Sequence, residues 1–159
     1  LRNHGMKSRD RIQILGFNSR LDTIQAVVGN WLIPKTQKIT NQRIANAQYY
    51  DDHFSQIKEL RIPVRPKGMK IVYHLYIIFA KKRNQLLKYC LTKGIEAKVH
   101  YPVPLYQQKA LKKFNYKKGD FPVTDLHSKS MITFPVDQHK SKKELDFVIK
   151  TVRKFYGYK

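Results

Sequence analysis

Gly16-Phe17-Asn18-Ser19-Arg20-Leu21-Asp22-Thr23-Ile24-Gln25-Ala26-Val27-Val28 is the stretch from which the fold can be read. Gly16 supplies backbone freedom for a sharp turn, and Asn18 or Ser19 can cap a helix whose first turn carries Asp22. Leu21, Ile24 and Val28 then fall on one face, with Val27 and Trp31 beside them, which predicts a buried helix. Asn18, Ser19 and Arg20 place an amide, a hydroxyl and a guanidinium on consecutive residues at the positive end of that helix. Such a cluster either binds a phosphate or carboxylate, or is an N-cap followed by one solvent-facing arginine.

The 159 residues suffice for one domain, and 42% hydrophobic with 12% aromatic content is enough for a core. No apolar run approaches the ~20 residues that span a bilayer, and nothing resembles a signal peptide. The single cysteine, Cys90, rules out an internal disulfide and a multi-cysteine zinc site. It fits a reducing, cytoplasmic setting and reads as a core residue of a helix. The formal charge of +21 makes nucleic acid a rival partner. Lysine carries most of that charge in scattered singles and pairs, however, where planar phosphate or base recognition favours arginine. The pattern reads as a solvated surface whose positive field also suits an anionic substrate.

Along the chain, residues 6–15 read as a loop with Arg9, Asp10 and Arg11 exposed. Pro34 breaks the first helix near Ile33, and a second runs from Thr36 to Ile57 on Ile39, Ile44, Ala47, Tyr50, Phe54 and Ile57. Pro63, Pro66 and Gly68 make 61–68 a connection. Lys70 to Ala80 reads as a strand buried on both faces, with His74 as a satisfied core histidine. A helix over 83–93 turns Leu86, Leu87, Cys90 and Leu91 inward and ends at Gly94 in a left-handed cap. Ile95 to Tyr101 returns as a strand, and two closely spaced prolines after it make a rigid loop. A short helix over 123–130 and a strand over 131–135 follow. Ser141 and Glu144 form a capping box before a helix whose apolar face is Leu145, Val148, Ile149, Val152, Phe155 and Tyr156.

Gly-x-Asn-Ser-Arg-Leu-Asp-x-x-Gln-Ala over 16–26 resembles a signature of the pyridoxal-phosphate-dependent sugar aminotransferases of the DegT/DnrJ/EryC1/StrS family. His100-Tyr101-Pro102-Val103-Pro104 resembles a second one, and Leu1-Arg2-Asn3-His4-Gly5 resembles a segment well inside the family's chains. The order of elements agrees over essentially the whole sequence. The resemblance implies an α/β fold: the C-terminal portion of a fold-type-I aminotransferase, with dimer-facing helices before a small α/β lobe. It divides the chain into 1–60, the tail of a large domain, and 61–159, a small domain. It implies pyridoxal 5'-phosphate as cofactor, bound through Asn18, Ser19 and Arg20 across a homodimer interface. It implies a nucleotide-sugar substrate beside His4, His100, Tyr101 and Tyr106, with glutamate as the amino donor. Tyr106 stands where the family usually has histidine.

The lysine that holds the cofactor belongs to a motif upstream of Leu-Arg-Asn-His-Gly in that family, and no lysine here sits in a matching motif. The expectation is therefore a chain that contributes one wall of an active site, has no catalytic residue or metal ligand of its own, and does not turn over alone. The rival expectation is a non-catalytic basic module for nucleic acid or another anionic partner.

Overall fold

The computed structural model describes residues 3–8, 11–19 and 21–158. The chain forms two compact units, Leu1–Lys38 and Ile39–Lys159.

The first unit contains a small hairpin where the sequence reads as a loop: β1 (Met6–Ser8) pairs antiparallel with β2 (Arg11–Ile12). Gly5 precedes it at φ +71°, and a Cβ there would lie 1.8 Å from the Ile14 carbonyl oxygen. Only glycine permits that approach. Arg11 is exposed as expected, while Arg9 and Asp10 lie outside the described residues.

Helix α1 (Thr23–Leu32) starts later than expected. Asp22 is its N-cap, in extended backbone, with its carboxylate accepting from the Ile24 N–H at 2.8 Å. Asn18 does not take that role: it lies four residues before the cap, bridged to Asn3. Nor is the helix buried: Ile24 is 77% and Trp31 63% exposed, and Leu21, Val27 and Val28 are open as well. The apolar stripe is present as predicted, but its side chains stand exposed. A single 3-10 turn, Ile33–Lys35, carries Pro34, whose ring cannot continue the preceding helix.

Helix α2 (Thr36–Phe54) ends three residues short of the expected Ile57, which is buried beyond it. In the second unit a three-stranded antiparallel sheet has the order β3 (Leu60–Arg61), β4 (Tyr76–Ala80), β5 (Met131–Phe134). Tyr76 pairs with Phe134 and Ile78 with Ile132. The strand expected over 70–80 is therefore only its second half. Tyr73 takes a left-handed φ of +49°, which breaks extension before the strand begins, and His74 is exposed instead of buried.

Helix α3 (Arg83–Thr92) buries Leu86 and Cys90 but leaves Leu91 open. Gly94 closes it at φ +75°, its N–H and that of Ile95 donating to the Leu91 and Cys90 carbonyls. The strand expected over 95–101 reduces to one bridge between Lys98 and Thr133. Helix α4 (Pro122–Ser130) and α5 (Lys142–Phe155) complete the unit, and the predicted capping box of Ser141 and Glu144 is formed.

The core gathers Ala47, Tyr50 and Phe54 from α2, Tyr76 and Ile78 from β4, Leu86 and Cys90 from α3, Ile132 and Phe134 from β5, and Leu145, Val148, Ile149 and Val152 from α5. Tyr50 and Phe54 stack at 5.3 Å, with Phe134 tilted against both. Burial pushes the Cys90 thiol up to about 11, so it behaves as a small core hydrophobe.

Candidate functional site

In the first unit the backbone joins two of the sequence-named positions. Asn3 bridges Asn18, and the His4 N–H donates to the Phe17 carbonyl at 2.9 Å. His4 is half-buried and itself takes a positive φ of 55°. Asn18 and Ser19 are exposed and make no side-chain hydrogen bond among the described residues. The positive end of α1 already holds the Asp22 carboxylate. Arg20, the third member of the predicted cluster, lies outside the described residues.

In the second unit His100 borders a cavity of about 230 Å³ at the end of β5, shared with Arg43, His74, Lys98, Thr133 and Asp137. The His100 Nδ1 lies 3.1 Å from the Thr133 Oγ1. The Tyr101 ring stands edge-on to the imidazole at 5.7 Å, and the peptide joining the two residues is cis. Tyr101 is otherwise exposed. Tyr106, by contrast, turns inward. Its hydroxyl donates to Asp125 and accepts from Gln107, and its ring meets Phe121 at 5.0 Å. The bond to Asp125 holds the phenol above its ordinary pKa. Tyr106 thus braces the loop after Pro104 and does not border the His100 cavity.

Arg43 went unnoticed in the sequence although its position was informative. It lies four residues before Ala47 and seven before Tyr50, on the stripe of α2 that faces the core. Its guanidinium donates to the Tyr73 carbonyl (3.0 Å) and the Gln138 side chain (3.1 Å), tying the irregular segment before β4 to the segment after β5. Lys98 pairs with Glu96. A larger recess of about 420 Å³, bordered by Tyr50, Lys140, Lys143 and Glu144, contains none of the sequence-named residues. Among the described residues no group of three His, Cys, Asp or Glu stands close enough to hold a metal. No described helix is long and apolar enough to cross a membrane.

The fold and the two short motifs define a class, the α/β aminotransferase module. The crystal structure of S. venezuelae DesV in complex with a ketimine intermediate superposes with a TM-score of 0.93 at 25% identity, over 100% of this chain and 43% of that one. The chain belongs to the DegT/DnrJ/EryC1/StrS aminotransferase family, whose model matches residues 1–153. A pleiotropic regulatory protein of Geobacillus stearothermophilus is 30% identical over 160 residues, 99% of this chain and 43% of that protein. The dTDP-3-amino-3,6-dideoxy-alpha-D-galactopyranose transaminase of Aneurinibacillus thermoaerophilus is 27% identical over 158 residues, 99% of this chain and 42% of that enzyme. The chain thus spans about two fifths of the length of these relatives.

Proposed function

We propose that this chain is part of a pyridoxal-phosphate-dependent aminotransferase that moves an amino group from glutamate to a keto carbon of a nucleotide-linked sugar. The product would serve cell-surface polysaccharide or related sugar biosynthesis in the cytoplasm. The match of residues 1–153 to the aminotransferase family carries this reading.

Within it, residues 1–60 are the tail of the large domain and 61–159 the small domain. The cofactor supplies, when bound, the carbonyl that takes up and returns the amino group. The donors of this chain suit its phosphate, since Asn18 and Ser19 are exposed and unengaged among the described residues. With Arg20, they bind that phosphate in the site of a neighbouring subunit. His4, His100 and Tyr101 are the candidates for contact with the sugar, and Tyr106 holds the loop after Pro104. The lysine that holds the cofactor is not assigned to any residue here. The open apolar face of Ile24, Val27 and Trp31 supports a subunit interface, because patches of this kind mark interaction surfaces. The +21 charge favours an anionic substrate over a specific nucleic-acid site.

The test is the protein of the complete reading frame containing these residues, incubated with pyridoxal phosphate, glutamate and a panel of nucleotide-linked keto sugars. Amino-sugar product with stoichiometric 2-oxoglutarate is expected. Absence of both cofactor uptake and turnover across the panel overturns the reading, and tight nucleic-acid binding at physiological salt would favour a binding module instead. The trans assignment has its own check. One parent lacks the cofactor lysine and the other carries Asn18→Ala with Arg20→Ala. Random mixing restores about a quarter of wild-type activity if the residues serve the partner's site, and none if they serve their own.

A further inference from the structure

The side chain of Thr133 is buried beside two acceptor-capable neighbours, and a hydroxyl has one proton to give. Its Oγ1 lies 3.1 Å from the Lys98 carbonyl oxygen and 3.1 Å from the His100 Nδ1. A carbonyl can only accept, so the hydroxyl donates to Lys98. Its lone pair then remains for His100, which must supply the proton of the second bond. The reverse arrangement, hydroxyl donating to Nδ1, would leave two oxygens 3.1 Å apart with no proton between them.

We propose that Thr133 is a positioning residue that fixes His100 as the Nδ1–H tautomer, so that its Nε2 lone pair is presented as an acceptor for a ligand hydroxyl. The Nε2 has no hydrogen-bond partner among the described residues, and it is not a buried unsatisfied atom, so it is open to a ligand. Of the other polar side chains of the cavity named above, His74 is exposed and the rest are engaged. Arg43 is tied to Tyr73 and Gln138, Lys98 to Glu96, and Asp137 accepts from the His139 N–H. An uncharged imidazole acceptor among such groups suits a polyhydroxylated ligand better than an anion. Identifying that ligand with a sugar rests on the proposed function; the tautomer does not.

The decisive measurement is long-range 1H–15N correlation of the histidine rings in the protein of the complete reading frame, recorded at alkaline pH. Comparison with the His100→Gln spectrum assigns the signal. Wild type should show a protonated-type nitrogen at Nδ1 and an unprotonated type at Nε2. Thr133→Val removes the hydroxyl at nearly constant shape, while the Thr133 N–H still holds the Lys98 carbonyl at 2.9 Å. It should make Nδ1–H the minor form, and Thr133→Ser should keep it major. A predominantly Nε2–H ring in wild type, or unchanged shifts in Thr133→Val, overturns the proposal. If Thr133→Val does not fold, the wild-type and Thr133→Ser spectra decide it, since both must show Nδ1–H. No turnover is needed, so this outcome is separate from that of the aminotransferase assay.

Discussion

The two units treat their apolar residues in opposite ways. In Ile39–Lys159 large side chains from three helices and two strands close on one another: Tyr50, Phe54, Ile78, Leu86, Ile132 and Val152 are all fully buried. In Leu1–Lys38 the same residue types stand open, with Leu15 at 95% exposure and α1 burying none of its residues. Composition does not separate the two. Helix α1 is more apolar than α2, yet α2 is the one with a core. An amphipathic stripe shows that a helix has a face to cover, while the covering surface has to come from another element. The second unit contains that element; the described residues of the first do not. Polar groups follow the same division. Asp51 is satisfied from inside the fold by Arg65 at 3.0 Å and Tyr76 at 2.7 Å, while Asn18 and Ser19 are left open.

The contrast can be broken by substitution, and Phe54→Ala should have the largest effect. Removing a fully buried ring packed between Tyr50 and Phe134 is expected to lower the unfolding free energy by about 3–5 kcal/mol, read from urea denaturation followed by circular dichroism. A loss under about 1 kcal/mol would mean that the second unit has no closed core.

Asp51→Ala comes next, at about 3 kcal/mol, because it strands the Arg65 guanidinium and the Tyr76 hydroxyl in a mostly buried site. Near-neutral behaviour in the same assay would show that water replaces the carboxylate there, making this region as open as the first unit.

Ser141→Ala should cost about 1 kcal/mol, the ordinary worth of an N-cap. It also carries a pH signature. Backbone and side-chain hydrogen bonds from Ser141, with Lys140 nearby, lower the Glu144 carboxyl to about 2. A lowered carboxylate stabilises the fold above its unfolded value of about 4.3 and loses that contribution as pH falls towards the folded value. Wild type should therefore lose stability between those two limits, and Ser141→Ala should flatten the decline. Equal slopes for the two proteins would show that the Ser141 hydroxyl does not lower Glu144, leaving the Ser141 N–H, which the variant keeps, as the cause.

Ile24→Ser should be the smallest change, within about 0.5 kcal/mol, because its side chain is already in water in the isolated chain. A loss above about 2 kcal/mol would place α1 inside a core of this chain and erase the contrast.

Short-range chemistry was legible in the sequence, and for a definite reason. Ser141 and Glu144 needed only three residues of spacing to form their capping box, Gly94 only its freedom at positive φ, and Pro34 only its missing N–H. Two short motifs, around Asn18 and His100, were enough to identify the family. Tertiary structure decided whatever depended on distant partners. Asn18 is bridged to Asn3, and the cap falls to Asp22. The left-handed turn at Tyr73 halved the expected strand and exposed His74, and the bond to Asp125 turned Tyr106 inward. His100 gained a defined neighbour only when Thr133, 33 positions along the chain, arrived on β5. Spacing along a chain specifies which face an element offers and where it starts and stops. What that face meets, and therefore which polar atom is left free for a ligand, is determined by residues that become neighbours only on folding.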